Sequence, residues 1–388
     1  MKSFITILKR EFKRIITSKD LVIICFLAPF VYFFAITYIY DAKNPKNIKL
    51  SIVNKDNTAL SRNLTRMIDS TPELNISNYY TSAYTAYNAI FQNKSDIFYY
   101  IPENFSSNLK RSKSSFGFIS ANASNFMVSS AAIKTVVMTS QILSAQVLAK
   151  FLISKEIPKE IAIRMIQPMG MESKWLFNPQ KSYANFFIPF VILAIFQQIL
   201  IVAVCHTMSL ETQENTWKDL FAVSKGKLLP VLFAKAIPYI FVSLFMILLF
   251  VFAVLPFTQI VYHSASKIIL ISLIYSVLIV FFAMAISFLF KNPVVSLCAL
   301  TFYSMPVLLI SGFAWPIYML PAYLHIATYL FPSTYFVNTF RFFVLDDISL
   351  KFAIIPTMQI LIFMVICFLI NIFLLYIKKK QIIKNLKN

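Results

Sequence analysis

The sequence predicts a polytopic α-helical membrane protein with six transmembrane helices and an inserted α/β domain, and three observations predict it. The 388 residues are 58% hydrophobic, with a mean hydropathy of +0.70, where soluble domains are about 45–50% apolar. Residues 292–340 run for 49 positions without one Asp, Glu, Lys or Arg, far longer than the roughly 20 apolar residues that cross a bilayer core. Between Asp41 and Lys181 the hydropathy drops and short alternating segments take over, the pattern of a water-exposed domain.

Residues 1–19 place Ile5, Leu8, Phe12, Ile15 and Ile16 at helical spacing, with Lys2, Lys9, Arg10, Lys13 and Arg14 on the remaining surface. That is an amphipathic helix lying on the cytoplasmic face of the membrane. Residues 20–40 follow as the first span, carrying Pro29. The span is full length and no small-residue cleavage site follows, so it reads as an anchor rather than a cleaved signal peptide.

The 41–181 segment reads as an extracytoplasmic α/β domain. Strands are predicted at 48–53, 74–80, 95–101 and 115–120, helices at 58–69 and 82–93, and a long helix at 125–157, with Asn54, Lys55, Asp56 and Asn57 as a turn and Thr58 as an N-cap. Its 17 Lys and Arg against 9 Asp and Glu do not conflict with an outside location, because long translocated segments escape the positive-inside count.

Residues 182–377 hold the other spans, at 182–210, 236–257, 267–290, 293–313 and 352–377. The charged segment 211–221 is expected as a short cytoplasmic helix whose Trp217, Leu220 and Phe221 form an apolar docking edge. The run after Phe313 is assigned by charge. Lys378, Lys379, Lys380, Lys384 and Lys387 form a basic tail over 378–388 that stays in the cytoplasm, so only one span fits between Lys291 and Arg341. Residues 314–341, broken by Pro316, Pro321 and Pro332, are therefore a re-entrant hairpin on the outer side. Irregular backbone at that depth needs protein or a cavity to satisfy it, and a cavity is expected.

The chemistry is bare. Four glycines (Gly117, Gly170, Gly226, Gly312) cannot build a GxxxxGK[ST] phosphate loop, so no ATP site is expected on this chain. The four cysteines (Cys25, Cys205, Cys298, Cys367) all fall in apolar segments, and no disulfide framework is expected. His206, His263 and His325 are too scattered for a zinc site. Met165, Met169 and Met171 are read as apolar packing, since no Cys or His accompanies them. The net charge of +20 is spread over ends, loops and the 41–181 domain, which fits membrane topology and not nucleic acid. No charged residue is expected inside a span. Ion-coupled pumps need one, so the energy for any transport must come from elsewhere.

Several segments together resemble the type 2 ATP-binding-cassette (ABC) exporter permeases, in the subgroup with a large extracytoplasmic domain after the first span. Glu211 to Thr216 resembles the family's E-x-x-x-G-T segment, with Asn215 in place of Gly, a residue that tolerates the left-handed region. Lys235 to Pro238 resembles K-x-x-P. Ser311 to Pro316, Leu320-Pro321 and Phe331 to Phe336 look like the outer hairpin, and Asn178-Pro179 with Tyr183 and Phe186 like the entry to the second span. The resemblance implies a half-exporter of the bacterial inner membrane with both termini cytoplasmic. It implies coupling to a separate nucleotide-binding ATPase, which holds the ATP and Mg, through Glu211, Glu214, Thr216 and Trp217. It also implies an outer gate at Gly312, Phe313, Trp315 and Pro316. A second permease copy or sister permease and the lipid bilayer are the further partners, with a periplasmic adaptor as an additional candidate, and the substrate would be a drug, lipid or other amphiphile. The alternative is a membrane-anchored extracytoplasmic binding or scaffold protein, phage- or secretion-related, that moves nothing itself.

Overall fold

The computed structural model describes residues 2–39, 45–111, 113–166, 182–260, 262, 264–313, 315–341 and 350–387. Asp41, Met169, Gly170, Met171, Asn178, Pro179, Lys181 and His263, named above, lie outside them. The chain divides into two compact units, one of Met1–Asp41 with Trp175–Asn388 and one of Ala42–Lys174.

Helix α1 (Lys2–Thr17) buries Ile7, Glu11 and Ile15, one residue per turn. This corrects the predicted stripe. Ile5 and Ile16 are 46% and 66% exposed, so the packed face is rotated from the one the apolar residues define, and a carboxylate stands at its centre. One extended residue, Ser18, separates α1 from α2 (Lys19–Ile39). Within α2 a π turn spans Ile23–Leu27, the Ala28 amide donating to the Ile23 carbonyl. Pro29 lacks an amide proton and its ring crowds the preceding turn, which widens to a five-residue hydrogen bond.

The Ala42–Lys174 unit is a four-stranded sheet with helices. Strand β1 (Ile48–Asn54) leads through α3 (Ala59–Asp69) to β2 (Leu74–Tyr79), which leads through α4 (Ala83–Phe91) to β3 (Ile97–Ile101). After α5 (Phe105–Lys110) comes β4 (Phe118–Ala121). The strand order is β2-β1-β3-β4; β1 is parallel to both neighbours and β4 antiparallel to β3. The turn after β1 has a local cause. Asn54 Oδ1 accepts the Asp56 and Asn57 amides, Asn57 takes a left-handed φ of 54°, and Thr58 with Ser61 completes a capping box at the start of α3.

Helix α6 (Phe126–Ser154) is long and apolar enough to cross a membrane, yet it belongs to this unit. It buries Ser129, Ala132, Val136, Thr139 and Leu143, and Ala132, Val136 and Leu143 join Leu50, Ile52, Leu64 and Ile97 in one core. The short α7 (Lys159–Ile166) follows, ending the described part of the unit with Met165 exposed.

The other unit continues with α8 (Tyr183–Gln213), α9 (Trp217–Val223), α10 (Leu228–Thr258), α11 (Ala265–Ser287) and α12 (Pro293–Ile310). Beyond these lie α13 (Ala322–Thr328), α14 (Pro332–Phe340) and α15 (Leu350–Lys387). Six helices among the described residues are long and apolar enough to cross a membrane: α2, α6, α8, α10, α11 and α15. The segment predicted as the fifth span is α12, whose 18 residues reach about 27 Å at 1.5 Å each, close to a bilayer core of about 30 Å. Helix α8 is the axis of the unit: most of its apolar stretch is buried, whereas less than a quarter of the apolar stretch of α2 or of α15 is.

Three helices overrun their predicted bounds, among them α15, which runs from Leu350 through most of the basic tail to Lys387. Helix α8 ends at Gln213 and takes Glu211 into its last turn, so the expected 211–221 helix shrinks to α9. Helix α10 begins at Leu228, which puts Lys235 inside an apolar helix and buries it, against the expectation of spans without charge. A second π turn, Phe250–Val254, precedes Pro256 in α10, for the reason given for Pro29.

Candidate functional site

Six charged side chains meet where α1, the end of α8 and the start of α10 converge. Lys235 Nζ lies 3.0 Å from Glu211 and 3.1 Å from Glu11. Arg14 donates to Glu211 at 2.6 Å and to Glu214 at 2.8 Å. Arg10 reaches Glu211 at 3.1 Å and Glu11 at 3.4 Å. Three cations face three carboxylates, so the cluster is neutral as a whole. Glu11, Glu211 and Lys235 are 1%, 0% and 3% exposed, a degree of burial that charges tolerate only when paired and hydrogen-bonded.

The turn from α8 to α9 is built onto this cluster. Thr216 donates its hydroxyl to Glu211, and Asn215 before it adopts φ 55°, the left-handed geometry that Asn accepts at small cost. Trp217 closes the cluster from above. Its ring lies 5.6 Å from Lys235 Nζ, its Nε1 donates to Thr212 at 3.0 Å, and it stacks on Phe288 at the end of α11 at 5.7 Å. Trp217, Leu220 and Phe221 are all buried within the chain, so the predicted apolar docking edge faces inward. The residues of this segment that face out are Gln213, Glu214, Asn215, Lys218, Asp219, Ala222 and Val223. The turn beyond α9 is pinned as well. Lys379 of α15 donates to the Gly226 carbonyl at 2.9 Å, which brings the basic tail to the same end of the unit as the cluster.

Aromatic packing dominates the opposite end of α8. Phe313 stacks on Phe190 at 4.8 Å and on Phe186 at 5.2 Å, and the Arg341 guanidinium sits 5.1 Å over the Phe190 ring. Gly312 has φ 86°, and a Cβ there would stand 2.9 Å from Ile317, so only glycine makes this turn without strain. Behind Phe313 lies a cavity of about 250 Å³ whose lining includes Gln197, Tyr275, Ser311, Phe313, Ser333 and Phe336. Tyr275 stacks on Phe336 at 4.0 Å and donates its hydroxyl to Gln197. Trp315 is 54% exposed, and Pro316 opens a single 3-10 turn.

A family model described as ABC-2 family transporter protein matches residues 19–374. The chain belongs to this family. No curated protein matches it. ABC-2 permeases are the membrane transport subunits of ABC transporters, and this ABC-2 permease is accordingly a multi-pass membrane protein. Of the residues that sequence reasoning selected in the permease, Glu211, Glu214, Thr216 and Trp217 are brought together by the structure. Gly312 and Phe313 share the aromatic end with Trp315 and Pro316 beside them in the chain. Sequence reasoning missed the other half of the cluster: Glu11 and Lys235 as buried partners, and Arg10 and Arg14 as ligands of Glu211. One signal was available, a Glu between Ile7 and Ile15 at four-residue spacing, which places a carboxylate on an apolar stripe. His206 lies in α8, and His325 packs its ring 5.6 Å from Tyr329.

Proposed function

We propose that this permease is one membrane half of an exporter whose ATP, with its Mg, is hydrolysed on a separate nucleotide-binding subunit. That subunit docks on the exposed face of α9 and the turn before it, through Glu214, Asn215, Lys218 and Asp219. Glu211, Thr216 and Trp217 hold that face in place from within. The observation that carries the reading is the neutral charge cluster: it joins α1, α8 and α10 directly beneath α9, so a push on α9 is transmitted to three helices at once. The docking end, with α1 and the basic tail, is then cytoplasmic, as the surplus of Lys and Arg favours, and the membrane is the bacterial inner membrane.

A second copy or a sister permease completes the pathway. The cargo is an amphiphile, for which the mostly apolar cavity at the Phe313 end, with Gln197 and Tyr275 among its few polar groups, is suited. Gly312, Phe313, Trp315 and Pro316 act there as the outer gate. The test separates docking from scaffolding. Reversing the exposed charges with Lys218→Glu and Asp219→Lys should release a co-purifying nucleotide-binding subunit while leaving thermal stability unchanged. Trp217→Ala should abolish export with the protein still in the membrane. An ATPase that stays bound to the charge-reversed variant, with export unchanged in Trp217→Ala, refutes the assignment.

A further inference from the structure

The Ala42–Lys174 unit contains a groove that the transport reading leaves without a role. It has a volume of about 500 Å³ and lies at the carboxyl ends of β1 and β2, lined by Ile52, Asn54 and Asn57, by Arg62, Thr65 and Arg66 of α3, and by Tyr79 and Tyr80. No Asp or Glu lines it. Arg62 and Arg66 stand one helical turn apart and so project along the same side of α3. Arg62 spends one N–H on the Asn57 carbonyl at 2.5 Å; Arg66 has no side-chain partner among the described residues. Asp69, three residues after Arg66 in α3, accepts the Ile76 amide at 3.1 Å and is not part of the lining. Open α/β sheets bind ligands beyond the carboxyl ends of their strands, at the point where strand order reverses. In this sheet that point lies between β1 and β3, and it is filled, because Asp56 accepts the Ser106 amide at 3.2 Å and the Ser106 hydroxyl at 2.5 Å. The open groove is displaced by one strand, toward β2.

We infer that this groove binds a phosphate-bearing ligand, with the Arg62 and Arg66 guanidinium groups gripping the phosphate and Tyr79 and Tyr80 flanking the group it is attached to. Two guanidinium forks on one helix face match phosphate oxygens in a way that lysines do not, and tyrosine offers both a ring face and a hydroxyl. The phosphate can arrive on a soluble sugar phosphate or on a lipid headgroup, and the chemistry of the grip is the same. The inference does not depend on the ATPase pairing.

The full-length protein in detergent, titrated with glucose 1-phosphate and with glucose, tests it. Saturable binding of glucose 1-phosphate alone is expected, weakened about tenfold or more by Arg66→Gln, as befits loss of a charge-assisted bond. The double variant Arg62→Lys, Arg66→Lys, which keeps the charge and loses the forks, should bind less tightly than the parent and more tightly than the double variant Arg62→Gln, Arg66→Gln. Titration of the same sample with water-soluble short-chain phosphatidylglycerol distinguishes the lipid source: binding that glucose 1-phosphate does not match and that is lost in Arg66→Gln assigns the phosphate to a headgroup. Unchanged melting of the unit in each variant shows that the loss is local. Binding of neither phosphate probe, or binding that is indifferent to both arginines, overturns the inference, whatever the outcome for export.

Discussion

Replacing Lys235 by Met tests whether the buried cluster holds the membrane unit together. The substitution keeps the side-chain length and removes one of three cations, leaving Arg10 and Arg14 against Glu11, Glu211 and Glu214. Glu211 retains both arginines, at 3.1 and 2.6 Å. Glu11, 1% exposed, keeps only Arg10 at 3.4 Å. Removing one partner of a buried pair costs about 3–5 kcal/mol, because the other charge stays buried without compensation. At about 2–4 °C per kcal/mol for a unit of this size, the melting midpoint of the detergent-solubilised protein should fall by roughly 6–20 °C. The control is the double variant Lys235→Met, Glu11→Leu, which removes both members of the pair and leaves two cations against two carboxylates; apolar replacement of a whole buried pair is close to neutral. Midpoints followed by the monodispersity of a fluorescently tagged protein after heating decide it. A single variant within about 1 kcal/mol of the parent, or a double variant no more stable than the single, refutes the argument that the pair is buried and mutually dependent.

Three further outcomes follow from the geometry. Asn215→Gly should be tolerated, while Asn215→Val, β-branched at φ 55°, should cost about 1–2 kcal/mol and loosen the α8–α9 turn, read as a lower melting midpoint and weaker retention of a nucleotide-binding subunit. Gly312→Ala, at φ 86° and with Ile317 2.9 Å from the new Cβ, should cost about 1–3 kcal/mol and reduce export, whereas Trp315→Ala on the exposed side should leave the midpoint within about 0.5 kcal/mol of the parent. Burial alone would raise the Asp56 carboxyl, but hydrogen bonds from Ser106 and Thr58 outweigh it and hold the group below the usual range. The unfolded chain then takes up the proton first. The stabilisation is present above the unfolded value of about 3.9 and is lost as pH falls from there through the depressed folded value. Melting of the Ala42–Lys174 unit should weaken over that window, and Asp56→Asn should flatten the dependence.

The α/β unit was legible because its signals are local. Thr58 and Ser61 write their own cap, Asn54 its own turn, and Ile48, Leu50 and Ile52 alternate as a strand does. The apolar helices were equally plain. The buried cluster was not legible, because its bonds join residues 197 positions apart at Arg14 and Glu211 and 224 apart at Glu11 and Lys235. A hydropathy window treats each of these charges as a reason to end a span. In the folded chain Lys235 and Glu211 cancel each other, and both helices run past them. Trp217 was misplaced for the converse reason: an indole beside Lys218 and Asp219 looks like an exposed edge until Phe288, from α11, is known to lie against it.

Ser18 is the only residue between α1 and α2, and on the coupling proposed above this short link would set how the permease responds to load. A long tether would absorb movement of α1; a single joint would pass it on to the foot of α2. Because α1 is also paired to α8 and α10, those helices would share the movement. Lengthening that joint with glycines would leave every clamp intact and let the stroke dissipate before it reached the bilayer.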